Sequence, residues 1–179
     1  MKRELNVFDY AKEITGSFHP GLLLTTRVDN KLNTMTIGWG MLGVIWEKPV
    51  FIAYVREGRH TRDLLDRSGE FTVNIPYGSC DKKILSYCGV HSGRKSNKIE
   101  ELGLTPVKSD RIQTPGLKEL PLTLECKVLY RQPLVLADIP KDIQTSCYPQ
   151  DVDSDFPMAN KDCHVAYYGE ILKAYIIED

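Results

Sequence analysis

The sequence predicts a mainly β fold with short helices, an antiparallel barrel carrying helical insertions, in one domain over residues 1–179. Three observations carry this prediction. β-Branched and apolar runs of strand length recur along the chain, at 22–28, 33–45, 50–55, 71–75, 122–130 and 165–177. The helical stretches between them are short, at 7–14, from Thr61 to about residue 68, at 80–87 and at 96–102. No repeat or linker divides the 179 residues, and 42% hydrophobic content suits one ordinary core.

Each element has a local reason. Phe8, Ala11 and Ile14 share one helical face, and Gly16 follows as a stop. Residues 22–28 and 33–45 read as a hairpin turning at Asp29, Asn30 and Lys31. Pro49 opens a strand whose continuous apolar run, 50–55, predicts burial on both faces. Thr61 is placed to cap a helix that turns Leu64 and Leu65 inward, and Gly69 to end it in a left-handed residue. Gly103, Pro106, Pro115 and Gly116 punctuate the loops that follow. Residues 122–130 alternate, placing Leu122, Leu124, Cys126, Val128 and Tyr130 on one face of a half-buried strand. An acidic, proline-punctuated stretch occupies 137–160, and one or two strands close the chain.

Composition narrows the function. A net charge of -1, from 23 basic and 24 acidic side chains, provides no general field for nucleic acid or an anionic membrane. No stretch approaches the roughly 18 apolar residues of a membrane span, and no signal peptide is evident, so a cytoplasmic protein is expected. The five cysteines are odd in number and are read as reduced thiols. Cys88 and His91 have Cys-x-x-His spacing, but the paired spacing of a structural zinc site is missing, and no metal is expected. Asp151, Asp153 and Asp155 open like a calcium loop, yet Phe156 stands where glycine is needed and Asp162 where glutamate is, so an acidic surface loop is expected. His164 and Glu170 are read as a polar contact rather than an acid–base dyad, and nucleophile-elbow, Walker and Rossmann motifs are missing.

Two neighbouring segments carry the chemistry. In Asn33-Thr34-Met35-Thr36-Ile37-Gly38-Trp39-Gly40, small residues let backbone approach a flat ring, with Gly38, Gly40 and Gly43 giving closest access. Downstream, Arg56, Arg59 and Thr61 precede or open a helix, where guanidinium, hydroxyl and backbone N–H groups all donate to an anion. Arg62 and Arg67 are read as outward-facing. A ligand with a planar head and a phosphate tail, such as flavin mononucleotide (FMN), satisfies both segments.

In order along the chain, these segments resemble the flavin reductase-like family, with its FMN-binding split β-barrel, and in particular its flavoredoxin-like branch. The matching pieces are 21–26, 33–40, 49–56, 59–61, Phe71-Thr72-Val73-Asn74-Ile75-Pro76, 88–94 and 164–171, so the resemblance covers about residues 20 to 172. It implies that Asn33, Thr34, Met35, Thr36 and Trp39 lie along the flavin and that Arg56, Arg59 and Thr61 hold its phosphate. Ser92, Gly93, Arg94 and Lys98 match a flavin-contacting loop, from which Lys95, Asn97 and Ile99 depart. The implied protein is a homodimer that binds FMN and takes hydride from NADH or NADPH. It passes electrons to a free flavin, another small molecule or a partner protein, with no side-chain catalyst required because the cofactor carries the reactive atom. The alternative is an FMN-binding electron carrier or flavin store without nicotinamide reductase activity; a third possibility is a barrel that binds no flavin.

Overall fold

The computed structural model describes residues 1–152 and 160–178. Ten strands form: β1 (Lys2–Glu4), β2 (Leu22–Val28), β3 (Lys31–Ile37), β4 (Gly40–Ile45), β5 (Lys48–Arg56), β6 (Glu70–Ile75), β7 (Pro106–Val107), β8 (Gly116–Leu117), β9 (Leu122–Pro133) and β10 (His164–Ile177). A 3-10 turn at Val7–Tyr10 leads into α1 (Ala11–Gly16), followed by α2 (His60–Ser68), α3 (Lys82–Val90), α4 (Lys98–Glu101) and α5 (Lys141–Cys147).

Eight strands make one sheet in the order β3-β2-β6-β9-β10-β5-β4, with β1 added on β10, and every pairing is antiparallel. Its two end strands, β3 and β4, follow each other in the chain and are joined only by Gly38 and Trp39. The sheet therefore bends back on itself and leaves a seam, because β3 and β4 do not pair. Leu22 and Leu24, Phe51 and Val55, Phe71 and Val73, Leu124 and Cys126, and Val165 and Tyr167 meet in one buried cluster inside it. This mainly β, unclosed sheet with short helices is compatible with a split barrel.

The expected single strand 33–45 is two strands with different partners. Thr36 pairs with Leu23 on β2, whereas Met41 pairs with Ile52 on β5. Gly40 permits the change of partner: a Cβ there would sit 2.6 Å from the Phe18 ring and 2.9 Å from the Ile52 carbonyl. Strand β9 also differs from expectation, since Thr123 and Glu125 are as buried as their apolar neighbours. Their outer face is covered by the 108–117 loop, whose Asp110 and Arg111 N–H groups donate to the Glu125 carboxylate at 2.8 and 2.7 Å.

Helix α2 ends as predicted at Gly69, in the left-handed region at φ 65°. The first helix is split into a 3-10 turn and α1, and α4 is shorter than the predicted 96–102. Strand β1 and helix α5 had no counterpart in the sequence reading. Residues 153–156 of the calcium-like stretch lie outside the described residues; Asp162 is described, and its carboxylate accepts from the Gly58 N–H at 2.7 Å.

Candidate functional site

The free edge of β3 is the organising feature. Among the described residues this strand pairs only with β2, so its outer backbone groups are available to something else. Thr36 ties the edge to α3 by donating to the Leu85 carbonyl at 2.6 Å. Asn33 ties it to α2: its Nδ2 donates to the Thr61 hydroxyl at 2.7 Å in a buried contact. That contact corrects the expected helix cap. Helix α2 starts at His60 with Arg59 in the cap position, and the Thr61 hydroxyl accepts from Asn33 instead of closing the helix. Gly93 packs on the same amide so closely that a Cβ would lie within 2.1 Å of Asn33 Oδ1.

Two cavities run along this edge. One, of about 230 Å³, lies at the seam between Met35–Trp39, Tyr54, Arg56 and His164. The other, of about 410 Å³, lies between α2 and the 88–98 segment and is lined by Arg59, His60, Thr61, His91, Gly93, Arg94 and Lys98 among others. Met35 and Arg59 line both, so the two form one groove with a flat-walled end and a basic end.

The basic end gathers Arg59, His60, Arg94 and Lys98, with Asp63 paired to Arg94. Arg94 is held over the start of α2 by the Gly58 carbonyl at 3.0 Å and Asp63 at 2.6 Å. Lys98 is only 3% exposed, and its ammonium donates to the His91 carbonyl at 3.1 Å. Burial first, then the neighbouring Arg59 charge, lowers the Lys98 pKa below its ordinary value. His60 is shifted down by burial and by Arg94, and its Nδ1 is buried without a hydrogen-bond partner among the described residues. A dianion in this cavity would offset the burial of the Lys98 charge and add to the contacts of Arg94.

Arg56 proves to be different from Arg59, correcting their expected pairing. It is nearly buried, and its Nη1 donates to the Asn160 and Asp162 carbonyls at 2.7 Å each while Nη2 donates to the Cys147 carbonyl at 3.0 Å. These bonds fasten the segments flanking 147 and 160–162 to the end of β5. Arg56 borders the flat end of the groove but not the basic cavity. Thr34 is also turned away: its hydroxyl meets Thr25 at 3.0 Å and the Leu24 carbonyl at 3.3 Å in the interior. Of the three glycines expected at a ring face, Gly38 lines the groove and Gly40 accommodates Phe18, while Gly43 on β4 faces open space, where a Cβ would meet nothing within 4 Å.

The flat end contains residues that sequence reasoning did not assign. Trp39 packs on His164 with ring centroids 4.6 Å apart and the planes tilted by 35°. His164 does not meet Glu170, which instead binds Lys48 at 2.6 Å; its Nδ1 lies 2.9 Å from the buried Tyr148 hydroxyl. A buried hydroxyl hydrogen needs an acceptor, so Tyr148 donates to Nδ1 and the imidazole carries its proton on Nε2. Burial, reinforced by Arg56, lowers the His164 pKa to about 4, so the ring is neutral near pH 7. The alternation of β5 placed Tyr54 and Arg56 on one face and was the available signal for Tyr54; nothing in the sequence joined Tyr148 to His164.

Residues 17–179 match the model of the flavin reductase like domain. The chain belongs to this family. Similar solved structures include a flavoredoxin of Desulfovibrio vulgaris (Miyazaki F), at TM-score 0.64 and 21% identity over 88% of this chain and 69% of that one. A flavoredoxin from Methanosarcina acetivorans matches at TM-score 0.61 and 28% identity, covering 88% of this chain and 68% of that one. An FMN-binding domain of a flavin reductase-like enzyme from Shewanella baltica matches at TM-score 0.66 and 15% identity, over 98% and 77%. A protein of Archaeoglobus fulgidus is 33% identical over 99 residues, a match spanning about half of either chain, 55% in each case. Family membership supports flavin binding and flavin-related redox chemistry. Among the described residues, no helix of this flavin reductase like domain is long and apolar enough to cross a membrane, and no group of three metal-ligating side chains comes together.

Proposed function

We propose that the chain binds FMN in the groove beside β3 and, as a homodimer, passes electrons through it from NADH or NADPH to a free flavin, another small molecule or a partner protein. The observation that carries the reading is the continuity of the groove. A flat-walled cavity and a basic cavity share Met35 and Arg59, as a planar ring joined to a phosphate requires.

The residues present suit the group. His60 Nδ1 has no hydrogen-bond partner among the described residues, the buried Lys98 ammonium has N–H groups beyond the one given to the His91 carbonyl, and Arg59 and Arg94 add charge beside the start of α2. The bare backbone at Gly93 keeps the 92–94 turn close to Asn33. Along β3, the backbone N–H and C=O groups of the alternate residues that face away from β2 are the donors and acceptors available to the polar edge of a ring. FMN, once bound, supplies the hydride and electron chemistry, and the protein's part is to bind, orient and shield it. Strand β4 supports the homodimer: its side away from β5 is unpaired among the described residues, and it bears exposed Met41, Val44 and Ile45, with exposed Trp46 in the turn that follows, a surface that association would cover.

The test is anaerobic mixing of the FMN-loaded protein with NADH or NADPH while the flavin absorbance is followed. Bleaching supports the reductase reading. FMN binding without bleaching would leave a carrier or flavin store, and no FMN binding would remove the reading altogether.

A further inference from the structure

A third cavity, of about 460 Å³, lies against the flat end of the groove and shares Gly38, Trp39 and Tyr54 with it. Its remaining walls are Phe18, Gly40, Met41 and, from the segment after β9, Leu134, Ile139, Ile143 and Tyr148. No charged side chain among the described residues lines it, and the nearby Arg56 has its guanidinium directed at three carbonyls. Phosphate-bearing molecules therefore find no counter-charge here.

Among the residues lining this space, Tyr54 carries a hydroxyl whose hydrogen bond within the protein is weak. The Tyr54 hydroxyl lies 3.9 Å from the Met41 sulfur, a weak acceptor, so its hydrogen is available to a better one. Burial, with Tyr168 adding to it, raises the Tyr54 pKa and keeps the phenol protonated as a donor. An apolar pocket with a single convergent donor recognises an uncharged ring carrying an oxygen acceptor.

We propose that this cleft binds an uncharged, planar, carbonyl-bearing molecule of the quinone or conjugated-ketone class, with its ring among Trp39, Met41 and Ile143 and its carbonyl oxygen accepting from Tyr54. The cleft names the acceptor class of the proposed function and rests on that reading for its electrons, though not for its binding. A cavity of 460 Å³ has room for a substituted benzoquinone. Trp39 forms the partition, so the bound ring lies next to the flat end of the groove without entering it.

The experiment titrates duroquinone, whose ring has no open position for thiol addition, against the FMN-loaded protein and against the flavin-free protein, by calorimetry and Trp fluorescence. Durene, the same hydrocarbon shape without carbonyls, is the control. Tyr54→Phe is expected to weaken duroquinone about tenfold and leave durene unchanged. Ile143→Asp, at a half-exposed position on α5, is expected to weaken both at least tenfold while FMN affinity is preserved. Duroquinone affinity unchanged in both variants overturns the proposal. So does a halving of the light-scattering mass in Ile143→Asp, which would show the cleft to be covered by a second copy of the chain. Loss of the FMN reading alone would appear as failed FMN titration with duroquinone binding intact.

Discussion

Replacing Lys98 by methionine separates phosphate binding from folding more cleanly than any other single change in the groove. Lys98 is 3% exposed, and its ammonium donates to the His91 carbonyl at 3.1 Å. Methionine fills a similar volume and removes a cation whose burial is unfavourable without a counter-charge, so the thermal midpoint should hold or rise. If Lys98 meets the FMN phosphate, the variant loses one charge-assisted hydrogen bond of about 1.5–3 kcal/mol. FMN should then bind roughly ten- to a hundredfold more weakly. Riboflavin, with the same ring and no phosphate, should bind as before. Calorimetric titration of both ligands at fixed pH and salt makes the comparison. Equal weakening of FMN and riboflavin would place Lys98 in support of the fold or the ring, and unchanged FMN affinity would refute the basic cavity as the phosphate site.

Arg56→Met should behave oppositely. It strips three carbonyls of a buried charged donor, lowering stability by about 3–5 kcal/mol in chemical denaturation, and any loss of affinity should be equal for FMN and riboflavin. His164 predicts an acid-side slope in stability: its folded pKa of about 4 lies below the ordinary 6.5, so stability is complete above pH 6.5 and is lost as pH falls toward 4. The loss approaches about 3 kcal/mol, and His164→Gln should remove that part of the slope when denaturation midpoints are compared across the range. Gly93→Ala forces Asn33 aside and should weaken FMN at least tenfold, whereas Gly43→Ala, with open space around it, should leave FMN titration unchanged.

The fold was legible where local chemistry and tertiary context agree. Strand β2 has the predicted bounds, and α2 ends at the glycine that could end it, because apolar runs and a left-handed residue act over short range. The break between β3 and β4 was not legible. Its cause is a change of partner strand, enforced by the approach of Phe18 to Gly40 across more than twenty residues. The second face of β9 was hidden for the same reason: nothing at Thr123 or Glu125 announces that the 108–117 loop will lie over them.

The site divides along the same line. Arg59 was readable from basic residues ahead of a helix start, and Gly93, Arg94 and Lys98 from the resemblance of 92–98 to a flavin-contacting loop; the four line one cavity. Arg56 has the same chemistry three residues earlier, yet it turns to the other side of β5, where the chain returning at 160–162 presents carbonyls to it. A sequence records that a guanidinium is available, not which acceptors the fold will bring to it first. Arg56 has its donors committed to those carbonyls at the seam end of the groove, whereas Arg59, Arg94 and Lys98 converge on the cavity beside α2, where Arg94 is also held by Asp63. The polarity of the groove, with Arg59, Arg94 and Lys98 gathered beside α2 and Arg56 turned to carbonyls at the seam, therefore follows from which arginine Cys147, Asn160 and Asp162 capture. That polarity orients a molecule with a charged tail and an uncharged ring in a single direction along β3.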